Sequence, residues 1–111
     1  MDFRLETTER DGCSVVSVTG ELDVATAPRL REVLIGLITS GHHRLVVDLG
    51  WVDFIDSTGL GVLIGALKRL RSHDGRLDLV IDDPRVLKVF DITGLDQIFT
   101  IHPTVELAVS S

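Results

Sequence analysis

Cysteine is nearly absent. Cys13 stands alone among 111 residues, which excludes an internal disulfide and any zinc site built on cysteines; at the start of a strand-like run it reads as a small packed residue. Long apolar runs are missing too. Charges interrupt the hydrophobic residues every few positions, so nothing approaches the roughly 18 residues that a membrane helix needs. The start, Met1-Asp2-Phe3-Arg4, has none of the apolar stretch of a secretory leader. Cations are the minority, 11 Lys and Arg against 17 Asp and Glu, giving a formal net charge of −6. Such a field repels a phosphate backbone, so no direct nucleic-acid partner is expected. No linker, repeat or low-complexity segment breaks the chain. The expectation is one domain over residues 1–111, in the cytoplasm, with no membrane contact.

What is present is enough to fold. Hydrophobic residues make up 44 % of the sequence, in a range that supports one buried core. The most organised stretch is residues 50–65. Before it, Arg44-Leu45-Val46-Val47-Asp48-Leu49 reads as a strand buried on both faces of a sheet. After it, Leu60, Leu63, Ile64, Leu67 and Leu70 recur with helical period. Trp51 and Phe54 read as anchors of the loop that carries Asp53 and Asp56, with Trp51 as a core plug. Ser57 and Thr58 therefore stand where a strand ends and a helix begins.

A hydroxyl at that junction has two readings. It can cap the helix, accepting a bond from an orphaned backbone N–H for about 1 kcal/mol. It can also be a covalent switch, because a helix N-terminus favours a phosphoryl group. Gly59, Gly61 and Gly65 fall in the first two turns, where each costs about 1 kcal/mol relative to Ala. Steps of four from Ser57 reach Gly61 and Gly65 and come close to Lys68, a stripe without side chains that lies either against another protein's backbone or against the chain's own sheet.

The remaining pattern gives the fold class. Residues 3–8 and 13–19 are strand-like around the turn Glu9-Arg10-Asp11-Gly12. Thr26 and Pro28 open a helix whose stripe is Leu30, Val33, Leu34, Leu37 and Ile38, ending by Gly41. Arg76 to Asp82 is a strand, Pro84 opens a helix that stops before Gly94, Ile98 to Ile101 is a short strand and Val105 to Val109 a final helical segment. The order β-β-α-β-α-β-α-β-α implies an α/β fold, a single mixed β-sheet flanked by helices.

Asp56-Ser57-Thr58-Gly59-Leu60-Gly61 after an apolar strand, Gly20-Glu21-Leu22-Asp23 before it and Phe90-Asp91-Ile92-Thr93-Gly94-Leu95 after it resemble, in order and over nearly the whole chain, the STAS-domain anti-sigma factor antagonists. The resemblance implies the STAS fold and no enzymatic activity of the chain's own. It implies that an anti-sigma factor with serine-kinase activity phosphorylates Ser57, with Thr58 as a secondary acceptor. The unphosphorylated protein would bind that anti-sigma factor and free a sigma factor, and a serine phosphatase would reset the switch. Asp23, Asp56, Ser57, Thr58, Gly59 and Gly61 would form the partner-binding surface. Asp23 by itself also reads as a solvated loop carboxylate.

Other chemistry finds little support. His42, His43, His73 and His102 lie on predicted loop or terminal positions without metal-ligand spacing and read as solvated. Asp48, Asp53 and Asp56 are the residue type that holds Mg²⁺ but read as facing different ways around one loop. Gly59 to Gly65 is one residue too long for a dinucleotide turn, and no G-x-S-x-G surrounds Ser57. No catalytic residue, metal or cofactor is expected, and the absence of unassigned apolar surface points to a monomer. Two alternatives to the switch are a non-switching STAS subunit of a lipid-transport ATPase complex and a small-molecule or nucleotide sensor.

Overall fold

The chain opens with a hairpin whose turn is dictated by two residues. In the computed structural model, which describes residues 2–111, Asp11 and Gly12 both take positive φ, 51° and 80°. Their left-handed pair matches the twist of the flanking strands, β1 (Arg4–Arg10) and β2 (Cys13–Leu22), which pair antiparallel from Arg10↔Cys13 to Arg4↔Thr19. There follow α1 (Ala27–Thr39), β3 (Arg44–Ile55), α2 (Ser57–Arg71), β4 (Arg76–Val80) and α3 (Pro84–Thr93). A 3₁₀ turn (Leu95–Gln97), β5 (Thr100–His102) and α4 (Val105–Val109) complete the chain. The sheet runs β1-β2-β3-β4-β5, with β2 to β5 parallel. This is the expected mixed α/β sheet, with the elements in the expected order.

Each parallel step moves one strand further in the same direction, so right-handed crossovers put α1, α2 and α3 on one face. Leu30, Leu34 and Ile38 of α1, Leu60, Leu63, Leu67 and Leu70 of α2, and Val86 and Phe90 of α3 share a core there with Val16, Val18, Leu45, Val47, Leu77 and Leu79. The alternate strand positions, Cys13, Val15, Val46 and Val80, face the other way and are covered by Ala108 and Val109 of α4. Cys13 is buried at the first position of β2, packed as expected.

β3 is longer than the sequence pattern indicates, and this corrects the reading of residues 50–55. Trp51, Val52, Phe54 and Ile55 pair with Thr19, Gly20, Glu21 and Leu22 of β2, across register shifts that break the alternation. A bulge of this kind disrupts the period-two signal while keeping the strand. Trp51 is therefore on a strand rather than in a loop, and at 71 % exposure it is not a core plug. β4 stops opposite Asp48, so the upper part of β3 projects beyond it.

The far face of the sheet holds a buried polar group that the sequence did not announce. Asp78, 2 % exposed on β4, accepts bonds from Arg76 at 2.9 and 3.0 Å, from His102 at 2.9 Å and from the Ser111 hydroxyl at 3.1 Å. His102 is thus packed against a carboxylate rather than solvated. Burial alone pushes the Asp78 pKa up, but the hydrogen bonds and the charge of Arg76 outweigh it and hold the carboxyl below the usual carboxylate value. The cluster ties β4 to the end of β5 and to the segment after α4.

Candidate functional site

The carboxyl ends of β2 and β3 lie side by side, and one bond joins the loops that leave them: Asp56 N–H donates to Leu22 O at 3.1 Å. From β2 the chain turns through Asp23 to Thr26. Asp23 Oδ1 accepts from Ala25 N–H at 2.9 Å and Thr26 N–H at 3.2 Å, while the Thr26 hydroxyl accepts from Asp23 N–H at 3.0 Å and donates to Glu21 O at 2.7 Å. Thr26 occupies the capping position of α1, but its side chain makes no cap bond; it serves the turn before it. Asp23 is accordingly no freely solvated carboxylate. One oxygen holds the loop, and the other makes no hydrogen bond among the described residues.

From β3 the chain enters α2 through Asp56, and here the capping reading of Ser57 is overturned. The cap is Asp56, in extended conformation, whose Oδ1 accepts from Thr58 N–H at 2.9 Å and Gly59 N–H at 3.2 Å. A carboxylate cap satisfies orphaned donors and complements the positive helix end at once. Ser57 is the first helical residue, exposed, and the helix does not use its hydroxyl. Thr58 is exposed beside it.

The three glycines divide between the two readings of the bare stripe. Gly59 is buried, and a Cβ there would stand 2.7 Å from Leu22 Cγ and 3.1 Å from Ile55 Cγ1. Its missing side chain lets α2 press onto the ends of β2 and β3, so Gly59 belongs to the packing beneath the site and not to its surface. Gly61 and Gly65 have no atom within 4 Å of the corresponding point. They look outward, along a trough between α1 and α2, rather than onto the sheet.

The rim around Ser57 is acidic, and Arg85 lies close enough to Asp53 to feel its charge. Glu21, Asp23, Asp53 and Asp56 take part in no salt bridge among the described residues. The neighbouring cation, Arg85 at the start of α3, is engaged by Asp83 at 2.8 Å, and that bond lowers the Asp83 pKa. Three apolar side chains stand out of the same end of the molecule: Val24 at 71 %, Trp51 at 71 % and Phe54 at 49 % exposure. Trp51 and Phe54 are not the buried anchors expected of a loop; the signal that places them on a strand is the run 51–55, whose alternation the register shifts interrupt.

The arrangement presents a hydroxyl without activating it. No base is hydrogen-bonded to Ser57 among the described residues. Asp48 and Asp56 each spend Oδ1 on a local backbone N–H, Gly50 and Thr58 respectively, both at 2.9 Å. No group of three or more His, Cys, Asp or Glu among the described residues is placed to hold a metal ion. No helix there is long and apolar enough to cross a membrane.

Comparison with known proteins bears on the same elements. The model of the STAS domain matches residues 4–108. An anti-sigma-B factor antagonist of Staphylococcus epidermidis is 39 % identical over 107 residues, covering 96 % of this chain and 99 % of that protein. The crystal structure of an anti-sigma factor antagonist from Mycobacterium paratuberculosis superposes with a TM-score of 0.90 at 33 % identity, over 98 % of this chain and 92 % of the other. The Bacillus cell fate determinant SpoIIAA in its phosphorylated form superposes with a TM-score of 0.74 at 27 % identity, over 98 % and 97 %.

Proposed function

We propose that this chain, which belongs to the STAS domain family and within it to the anti-sigma factor antagonists, works as a phosphorylation-controlled partner switch centred on Ser57. In the unphosphorylated state it binds an anti-sigma factor that is also a serine kinase, and the sigma factor held by that kinase is freed. The docking surface comprises Asp23, Asp56, Ser57, Thr58 and Gly61, with Gly59 shaping it from beneath. The observation that carries this reading is the division of labour at the start of α2: Asp56 makes the cap bonds, so the exposed Ser57 hydroxyl has no structural duty.

In the transfer step, Ser57 Oγ attacks the γ-phosphorus of ATP held by the kinase. The bond from that phosphorus to the bridging oxygen breaks, ADP leaves, and the hydroxyl proton passes to a base of the kinase. This chain supplies position alone and is not itself an enzyme. Thr58 is the secondary acceptor, and a serine phosphatase restores the free hydroxyl. The reading places the protein in the cytoplasm, as a single domain over residues 1–111; the exposed Val24, Trp51 and Phe54 remove the ground for expecting a monomer.

Release follows from charge. A phosphoryl group adds nearly two negative charges. The helix dipole returns about 1 kcal/mol, whereas one unit charge at 4 Å from a carboxylate such as Asp56 loses about 4 kcal/mol at an effective dielectric of 20. Asp56 already accepts from two N–H groups of the first turn, so the phosphoryl group meets a carboxylate seated at the helix end. Water screens the repulsion in the free protein and is excluded when a partner docks. The fold therefore persists while the complex separates.

The test is peptide-resolved mass spectrometry after incubation with ATP and extract of the source cells, with Ser57→Ala in parallel. One phosphoryl group on the Ser57 peptide, lost in the variant, is the expected result. No phosphorylation in an extract with demonstrated kinase activity would turn the reading toward a constitutive subunit.

A further inference from the structure

The trough between α1 and α2 adjoins the Ser57 rim at Thr58 and Gly61 and runs away from it with opposite chemistry. It consists of two hollows of about 260 and 360 Å³ that share Ile35 and Arg69 and so meet end to end. Leu34, Ile38 and Ala66 form its apolar floor. Gly61 and Gly65 leave it open where any other residue would put a Cβ, although glycine is unfavourable inside a helix and neither position is crowded. Every ionisable side chain on its lining is a base: Arg31, Arg69, His43 and His73. Arg31 and Arg69 are exposed and enter no salt bridge among the described residues. In a chain of net charge −6, such a segregation of bases calls for an acidic complement.

We propose that this trough docks an acidic amphipathic helix of a partner protein, its apolar stripe on the floor and its carboxylates against Arg31 and Arg69. Along α2 the trough runs from Thr58 to Arg69, about 16 Å at the helical rise, which suits about three turns of a docked helix. The glycines let that helix approach α2 closely. A second copy of this chain cannot supply the occupant from its own helices. α1 carries one acidic residue, Glu32, α2 none, α3 only Asp91 and α4 only Glu106. The inference goes beyond the reading of Ser57: the trough shares Thr58 and Gly61 with that docking surface but continues along α1 and α2 past Ile35 to Arg69.

The test uses the full chain, labelled with ¹⁵N and titrated with a helical peptide of about 16 residues bearing glutamates on both flanks of a Leu/Ala stripe, and with its lysine counterpart. The acidic peptide is expected to shift the amides of Ile35, Gly61 and Gly65, and the lysine peptide not to. Arg31→Glu combined with Arg69→Glu weakens the acidic peptide at least about tenfold and lets the lysine peptide bind. Three results would overturn it: no shifts at about millimolar peptide, the same shifts with inorganic phosphate alone, or shifts that grow with protein concentration without peptide. The second would make the trough a small-anion site, and the third a self-association surface.

Discussion

The Ser57 rim and the Asp78 cluster are both built on aspartates, yet they answer their charges in different ways. Asp78 is met by a guanidinium, an imidazole and a hydroxyl, and its charge ends inside the molecule. Asp23 and Asp56 are met by backbone N–H groups, which fix the side chains but leave the net charge standing. A compensated carboxylate holds a fold together and is electrostatically silent outside it. An uncompensated one gives the rim a field, and one more negative group there is felt by whatever docks.

The largest effect that separates the two regions should come from Asp78→Ala. Removing one partner of a buried pair costs about 3 kcal/mol, here with Arg76 still half in water and able to resolvate in part. Urea unfolding should show this loss, while phosphorylation of Ser57 by a competent kinase keeps its wild-type rate. Because the folded-state pKa of Asp78 is depressed, its contribution is present above the ordinary carboxylate value and disappears as pH falls through the lower folded one. The gap in stability between wild type and Asp78→Asn should therefore begin to narrow below about pH 4 and close only after pH has fallen through the lower folded value. A cost under about 1 kcal/mol would mean that the cluster behaves like the solvated rim.

Glycine substitutions sharpen the contrast within a single helix. A methyl group at Gly59 meets Leu22 and Ile55, and overpacking of this kind costs about 2 kcal/mol. Gly61→Ala, two residues on, meets open space and should gain up to about 1 kcal/mol from helix propensity. Thermal melts of the two variants should move in opposite directions. Shifts of the same sign would show that α2 does not hold the orientation described.

Asp56→Ala comes next, at about 1 kcal/mol for a lost cap. Asp56→Asn should recover most of that stability, because the amide oxygen still accepts from Thr58 and Gly59. If Asn were as unstable as Ala, the charge on the helix end rather than the hydrogen bonds would be holding α2.

The sequence disclosed the fold through period. Leu60, Leu63, Leu67 and Leu70 marked the inner face of α2, and Val105 to Val109 matched α4 to the residue. It was silent where period fails. The bulges opposite Ser17 to Glu21 interrupt the alternation of β3, so Trp51 and Phe54 were read as a loop. Asp78 and His102 lie 24 residues apart and meet because β4 and β5 are neighbours, a relation no local pattern carries. The site was legible as a junction of strand and helix. Which of two adjacent residues capped the helix was not, since Asp and Ser serve equally well as caps and only the extended backbone at Asp56 decides.

Ser57→Ala should have the smallest effect on stability, within about 0.5 kcal/mol of wild type as for a surface change away from any structural bond. Were Ser57 the cap, the same substitution would cost about 1 kcal/mol, a difference that denaturant midpoints resolve with an unchanged m-value. The measurement also bears on the switch. A phosphoryl group attached to a hydroxyl that the fold already uses would unseat the helix start, and release would then come from local unfolding. Attached to a hydroxyl that the fold does not use, it leaves Asp56 seated on the first turn, and release must come from the field of the rim. Neutral stability of Ser57→Ala, together with an intact amide spectrum of the phosphorylated chain, selects the second mechanism.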